Sequence, residues 1–398
     1  MRSLIYLYKI GRGPSSSHTM GPYFATKKIL NKYPNATKYH ITLYNSLALT
    51  GQGHLTYDII EETLKGKEVV FSSRIDVNRH PNTIKYKGFL NDDLLEEIEV
   101  RSIGGGEILF NDETFSEISI YPHEHFSQII DYCMKKDISL FDYIIEVEGK
   151  DIINFLTSIW NQMKCTIETG LSKEGVLPGK LEVKRKAKTL IKEVENESNT
   201  LKEHRLISAY AFAVNEENAA GGFIVTAPTC GAAGTLPAVL YYANKVEGFS
   251  DEKIIESLAV AGLIGNIIKH NATISGAVGG CQAEVGSACS MAAAAYCYLT
   301  SHSFDHIECA AEIAIEHSLG LTCDPVEGYV QIPCIERNAI AAIRAITSSR
   351  ISHILSDSRK ISFDMIVQTM YQTGLDMHPK YKETSEAGMA YFYNGNKN

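Results

Sequence analysis

Nine cysteines are spread over 398 residues, yet the chain contains no Cys-x-x-Cys pair. Structural zinc sites favour such pairs, so the common zinc-finger frameworks are excluded. The closely spaced run of four cysteines used by electron-transfer ferredoxins is missing as well. Basic residues are not in excess: 38 Lys and Arg stand against 47 Asp and Glu, a net charge of −9. Nucleic-acid binding usually needs a clustered basic face, and there is no helix-turn-helix signature, so no nucleic-acid partner is expected. No stretch reaches the roughly 18 apolar residues of a membrane span, so no membrane partner is expected either. The run Met1–Lys9 has too short an apolar core for a signal peptide and leads directly into Gly11-Arg-Gly-Pro14. The expectation is a cytoplasmic protein, whose cysteines are thiols or metal ligands rather than disulfides. There is no fixed-period repeat and no low-complexity tract.

What is present is ordinary globular composition, 44% hydrophobic and 21% charged, over a length sufficient for two domains. Alternating or helical spacing divides the chain near residue 123. Residues 1–123 read as a small α+β domain. Its turn-rich Gly11–Pro22 loop leads into a helix over Met20–Lys32, and strands are expected at 38–43, 68–77, 83–86 and 115–121. Residues 124–398 read as a mostly all-α domain. Helices are expected at 126–136, 140–148, 152–169, 181–195, 201–215, 234–243, 251–269, 285–299, 303–317, 338–349, 363–374 and 382–391. The basic run within Lys180–Lys192 reads as a solvated helix start.

Several loops carry chemistry. Ser15, Ser16, Ser17, His18 and Thr19 stand at a helix start, where hydroxyls and free N–H groups suit an anion, although an N-cap needs the same residues. His54 sits in a Gly-x-Gly-His turn, a position open to a general base near neutral pH. His80-Pro81-Asn82 and Ser102-Ile-Gly104-Gly-Gly106 are further polar turns. The triple glycine lacks the Lys-Ser ending of a P-loop and the spacing of a dinucleotide loop. Cys281, Cys323 and Cys334 lie among glycines, prolines and small polar residues, at separations of 42 and 11 positions. Three such ligands suit an iron–sulfur cluster with one iron left open as a Lewis acid, and Cys281 opens a helix whose positive end favours a thiolate. Unrelated buried thiols would give the same spacing. Cys133, Cys165, Cys289, Cys297 and Cys309 lie inside helical patterns and read as packing residues. Cys230 sits in the small-residue loop Thr226-Ala-Pro-Thr-Cys-Gly-Ala-Ala-Gly234.

Together these segments resemble the bacterial iron–sulfur-dependent L-serine dehydratases, in a single-chain form with fused beta and alpha parts. The likeness spans nearly the whole chain. It rests on Gly13-Pro-Ser-Ser-Ser-His-Thr-Met-Gly-Pro22, Ser46-Leu-Ala-Leu-Thr-Gly-Gln-Gly-His54, Gly175-Val-Leu-Pro-Gly179, Thr226–Gly234, Lys380-Tyr-Lys-Glu-Thr-Ser385 and the three cysteine motifs. The resemblance implies a 4Fe-4S cluster on Cys281, Cys323 and Cys334, with His54 as the base. The serine-rich loop would face the cluster, and His80 and Asn82 would match the family's His-x-Asn pair. Asn271 and Ser275 would contact further polar groups of the substrate, L-serine. A homodimer is also implied. The segment between His54 and His80 is short for the family. Some members end in a cysteine that reaches the open iron, and Tyr391–Asn398 contains none.

Three other readings compete. A related iron–sulfur lyase would act on L-threonine or L-cysteine. A pyridoxal-phosphate dehydratase would need a loop lysine beside a phosphate cup. A labile-cluster iron or redox sensor would need a docking or DNA-binding module.

Overall fold

The structure, a computed structural model, describes residues 1–111, 113–114 and 118–395. Its strands are β1 (Ile10–Arg12), β2 (Lys38–Tyr44), β3 (Glu68–Arg74), β4 (Thr83–Leu90), β5 (Asp93–Gly104), β6 (Glu107–Phe110) and β7 (Phe223–Val225). Five of them form one sheet in the order β3-β2-β4-β5-β6, with β2 and β3 parallel and the other pairs antiparallel. Alternation along β2 buries Tyr39, Ile41 and Leu43. On that face lie Ala25 and Ile29 of the Gly21–Lys32 helix and Ile59 and Ile60 of the Thr56–Thr63 helix. Each buried isoleucine or leucine here contributes about 1.5–3 kcal/mol by leaving water.

The rest is helical, centred on Ser287–Thr300, in which every residue from Ser287 to Leu299 is buried. Ala292–Ala295 let the Asp251–Asn271, Phe304–Glu316 and Cys334–Leu355 helices approach it closely. The fold class is α+β, as expected. Among the described residues no helix is long and apolar enough to cross a membrane.

The start of the chain is built into the helical part. Met1, Leu4, Leu7 and Tyr8 belong to its core, and the Tyr8 hydroxyl donates to the Leu258 carbonyl at 2.9 Å. Strand β1 then pairs antiparallel with β7, Ile10 opposite Val225. The chain therefore enters its sheet from the helical core, and Gly13–Thr19 lies at the junction.

Several elements differ from expectation. Only Ala187–Leu190 is helical within 181–195. Glu182 has φ 51, and the basic run is drawn into tertiary bonds: Val176 bridges Lys184, and Arg185 pairs with the buried Glu217 at 2.7 Å. The final helix begins at Gly388 rather than 382, because the preceding turn is pinned elsewhere. Strands β5 and β6 were not anticipated. The triple glycine makes their hairpin turn, with φ of 101, 59 and 75, values favoured by glycine. The strand expected over 115–121 falls partly on 115–117, outside the described residues, and 118–121 is not in a strand.

Candidate active site

Three loops bring the cysteines together. Cys281 precedes a π-turn, Gln282–Gly286, whose Gln282 N–H donates to the Leu321 carbonyl at 3.1 Å. This ties the Cys281 loop to the Cys323 loop. Cys323 is clamped by the chain's tail: its N–H donates to the Tyr381 carbonyl at 2.7 Å, and its carbonyl accepts from the Glu383 N–H at 2.8 Å. Cys334 starts the Cys334–Leu355 helix after Pro333. All three are buried, at 3%, 5% and 7% exposure, and none forms a disulfide. One ligand atom each from Cys281, Glu284 and Cys323 lie within 4.8 Å of one another.

The charge balance here favours a cation. A hydrogen bond from Cys323 lowers the Cys281 pKa, and the Arg337 guanidinium adds to this. The same hydrogen bond and burial raise Cys323, while burial and the nearby Cys281 raise Cys334. Burial raises Glu284. Burial, Glu284 and Cys281 push Glu383 up to about 8. Arg337 is the cation in contact, but it also serves the Thr322 carbonyl at 2.5 Å and Asp324 at 3.6 Å. Three thiolates and two carboxylates will not all ionise here unless a metal shares their charge. The donor set therefore fits a thiolate-bound metal centre.

The opposite wall comes from the junction loop. Ser15 Oγ accepts from the His18 N–H at 3.2 Å and caps a π-turn, Ser16–Met20, that runs into the Gly21–Lys32 helix. Ser16 lies against the Cys230 thiol, which in turn lies beside Glu284. The His18 ring is held by two hydroxyls, Ser17 at 2.8 Å and Ser46 at 2.9 Å. Burial, and secondarily His54, lower its pKa to about 3. The His54 ring lies 4.7 Å from that of His18. Reciprocal bonds of 2.6 Å lock the pair: Thr19 Oγ1 donates to the His54 carbonyl, and Thr56 Oγ1 to the His18 carbonyl. His54 Nδ1 lies 3.1 Å from the Thr50 carbonyl, so Nδ1 carries the proton and Nε2 the lone pair. Burial lowers its pKa as well, leaving it neutral near pH 7. A Cβ on neighbouring Gly53 would lie 3.9 Å from the Gly328 carbonyl, between Cys323 and Cys334 in sequence. Ser15–His18, His54 and Glu284 are half-buried and Glu383 is exposed, so solvent reaches each of them.

The other expected residues lie further out. His80 Nδ1 accepts from the Asn82 N–H at 3.1 Å, and Pro81 O accepts from the Ser46 N–H at 3.0 Å, so this turn backs the hydroxyl that holds His18. His80 itself faces a surface depression of about 510 Å³ with Arg79 and Arg101. Asn271 donates to the Glu124 carbonyl at 2.7 Å, at the end of its helix. Ser275 is exposed and precedes Gly276, at the edge of the carboxylate pair. Glu284, Glu383, Arg337 and Asn338 also stand at this site, and the sequence reading assigns none of them a role. An acid inside a glycine-rich loop, as at Glu284, was the available signal.

Comparison with known proteins gives the context. The serine dehydratase beta chain family matches residues 3–69, and the serine dehydratase alpha chain family matches residues 59–390. An L-serine dehydratase of Haemophilus influenzae is 37% identical over 449 aligned positions, covering 98% of this chain and 99% of that protein. L-serine dehydratase 2 of Escherichia coli is 38% identical, with 98% of each chain covered. An L-serine dehydratase of Helicobacter pylori is 35% identical over 98% of both. These alignments are longer than the 398-residue chain, so the relatives carry additional residues. The chain belongs to the serine dehydratase family, with the beta-chain and alpha-chain parts joined in one polypeptide.

Proposed function

We propose that this protein is an L-serine dehydratase that converts L-serine to pyruvate and ammonia, and that Cys281, Cys323 and Cys334 hold a 4Fe-4S cluster. The observation that carries the reading is the convergence of these buried thiols opposite a serine-rich helix start and a neutral histidine. Near-full-length likeness to proteins named L-serine dehydratase supports it. When bound, such a cluster supplies a Lewis-acidic iron that polarises the substrate hydroxyl.

The chain's own residues supply the remaining functions. Ser15, Ser16 and Ser17 hold the carboxylate through hydroxyls and through N–H groups at the helix start, whereas Thr19, expected to join them, is fully buried with its hydroxyl on the His54 carbonyl. His54 takes the Cα proton at Nε2, because its Nδ1–H is committed to Thr50. His18, Ser46 and the His80–Asn82 turn keep the loop in place. The released aminoacrylate then hydrolyses without help from the protein. Exposed Ile340, Ile351 and Ile354 on the Cys334–Leu355 helix are in keeping with a homodimer.

The test is ammonia and pyruvate release from L-serine by protein purified without air, alongside iron and acid-labile sulfide content and rates for L-threonine and L-cysteine. Cluster-dependent turnover with L-serine preferred is expected. Deamination by protein carrying neither iron nor sulfide would overturn the reading.

A further inference from the structure

If the cleft is the serine site, one substrate group still has no partner. Ser15–Ser17 answer the carboxylate and His54 the Cα proton, but the α-ammonium group needs acceptors. Glu284 and Glu383, which stand beside the cysteines, are the carboxylates placed to supply them. Glu284 follows Cys281 on the π-turn, and Glu383 lies on the tail turn clamped to Cys323. Both aim at one point. A Cβ built on Gly276 would lie 2.4 Å from Glu383 Oε1 and 2.7 Å from Glu284 Oε2. The absence of a side chain at Gly276 lets the two carboxylates approach each other. Gly231 bounds Glu284 on another side, 3.2 Å from Oε1 on the same construction. The Thr229 hydroxyl approaches Glu284 without closing a hydrogen bond of good geometry. Neither carboxylate forms an ion pair among the described residues, and solvent reaches both, Glu284 being half-buried and Glu383 exposed.

We propose that Glu284 and Glu383 form the pocket for the substrate's α-ammonium group and so select α-amino acids over α-hydroxy acids. An ammonium offers three donors and one positive charge, and two flanking carboxylates complement both. This assignment rests on the serine reading of the cleft.

The test compares L-serine with L-glycerate, which carries a hydroxyl in place of the ammonium. Binding is measured by calorimetry on anaerobically purified wild type, Glu383→Gln and Glu284→Gln, each with iron, sulfide and melting temperature determined. Each variant is expected to bind L-serine about 10- to 100-fold more weakly, the effect of losing a charge-assisted bond, with L-glycerate unchanged or tighter. KM should rise by more than kcat falls. Equal weakening of both ligands, or unchanged L-serine affinity, would overturn the assignment. Iron loss from Glu284→Gln would also overturn it, by making that carboxylate a ligand. Wild type that binds L-serine in preference to L-glycerate yet releases no pyruvate would sink the dehydratase reading while supporting the ammonium pocket.

Discussion

Asn338 offers the sharpest test of how the cysteine loops are held. Its side chain is fully buried, and it spends all its hydrogen-bonding capacity on loop anchors. Oδ1 accepts from the N–H groups of Gly234 and Thr235 at 3.2 and 3.1 Å, and from the Thr235 hydroxyl at 2.9 Å. Nδ2 donates to the carbonyls of Gly231 at 2.8 Å and Cys334 at 2.9 Å. One amide thus binds the Cys334 turn to the loop that carries Cys230. Asn338→Ala removes all five bonds and strands buried backbone groups. At about 0.5–1.5 kcal/mol per bond the five bonds make the expected loss roughly 2.5–7.5 kcal/mol. An unfolding entropy of about 2.1 cal/mol/K per residue makes that a fall of roughly 3–9 °C for a chain of this size. Asn338→Asp keeps the acceptor side but turns a carboxylate oxygen toward two carbonyls, so it should be no more stable than the alanine variant. Circular-dichroism melts of the three proteins, with iron content determined on each, make the comparison. An alanine variant that melts within about 1 °C of wild type and retains full iron would refute the reasoning.

Three further outcomes are expected. His54→Ala should keep its iron and sulfide while kcat falls at least about 100-fold, as measured by anaerobic pyruvate release. In Gly276→Ala the new methyl meets only the ends of two flexible side chains, so the melting temperature should hold while calorimetric L-serine affinity drops. The third concerns pH. His18, held at about 3, stays unprotonated in the folded protein, whereas the unfolded chain takes up a proton near 6.5. The unfolded state then binds more protons, so stability declines as pH falls from about 6.5 toward 3, by up to about 1.4 kcal/mol per unit. Denaturant titrations at pH 7 and 5 should show this decline, and it should be smaller in His18→Gln.

The helices of the second half were legible because apolar periodicity is a local signal, repeated turn after turn from Phe126 to Asp376. Strand β5 was missed although Ile98, Val100 and Ser102 alternate inward, because Leu94-Leu-Glu-Glu97 breaks the pattern before it begins. Strands β1 and β7 are three residues each and pair across more than two hundred positions, so neither carries a local signature. The helix expected over 181–195 had acceptable spacing, but Arg185 is drawn to the buried Glu217, a partner that no window around 185 contains.

The same division runs through the site. The cysteines and the serine-rich loop could be read from their own neighbours, since Gly, Pro and Ser mark loops that approach ligands. Glu284 and Glu383 could not. Each alone looks like a solvated acid, and their meaning comes from meeting beside Gly276, which brings together two segments 99 residues apart. If that meeting is functional, the tail turn Lys380–Ser385 has two tasks: its backbone fixes Cys323 and its carboxylate faces the cleft. Truncation before Lys380 should then lower both iron content and L-serine affinity, whereas Glu383→Gln should lower affinity alone. That separation shows whether the turn is only a strap for the metal loop or also a wall of the binding site.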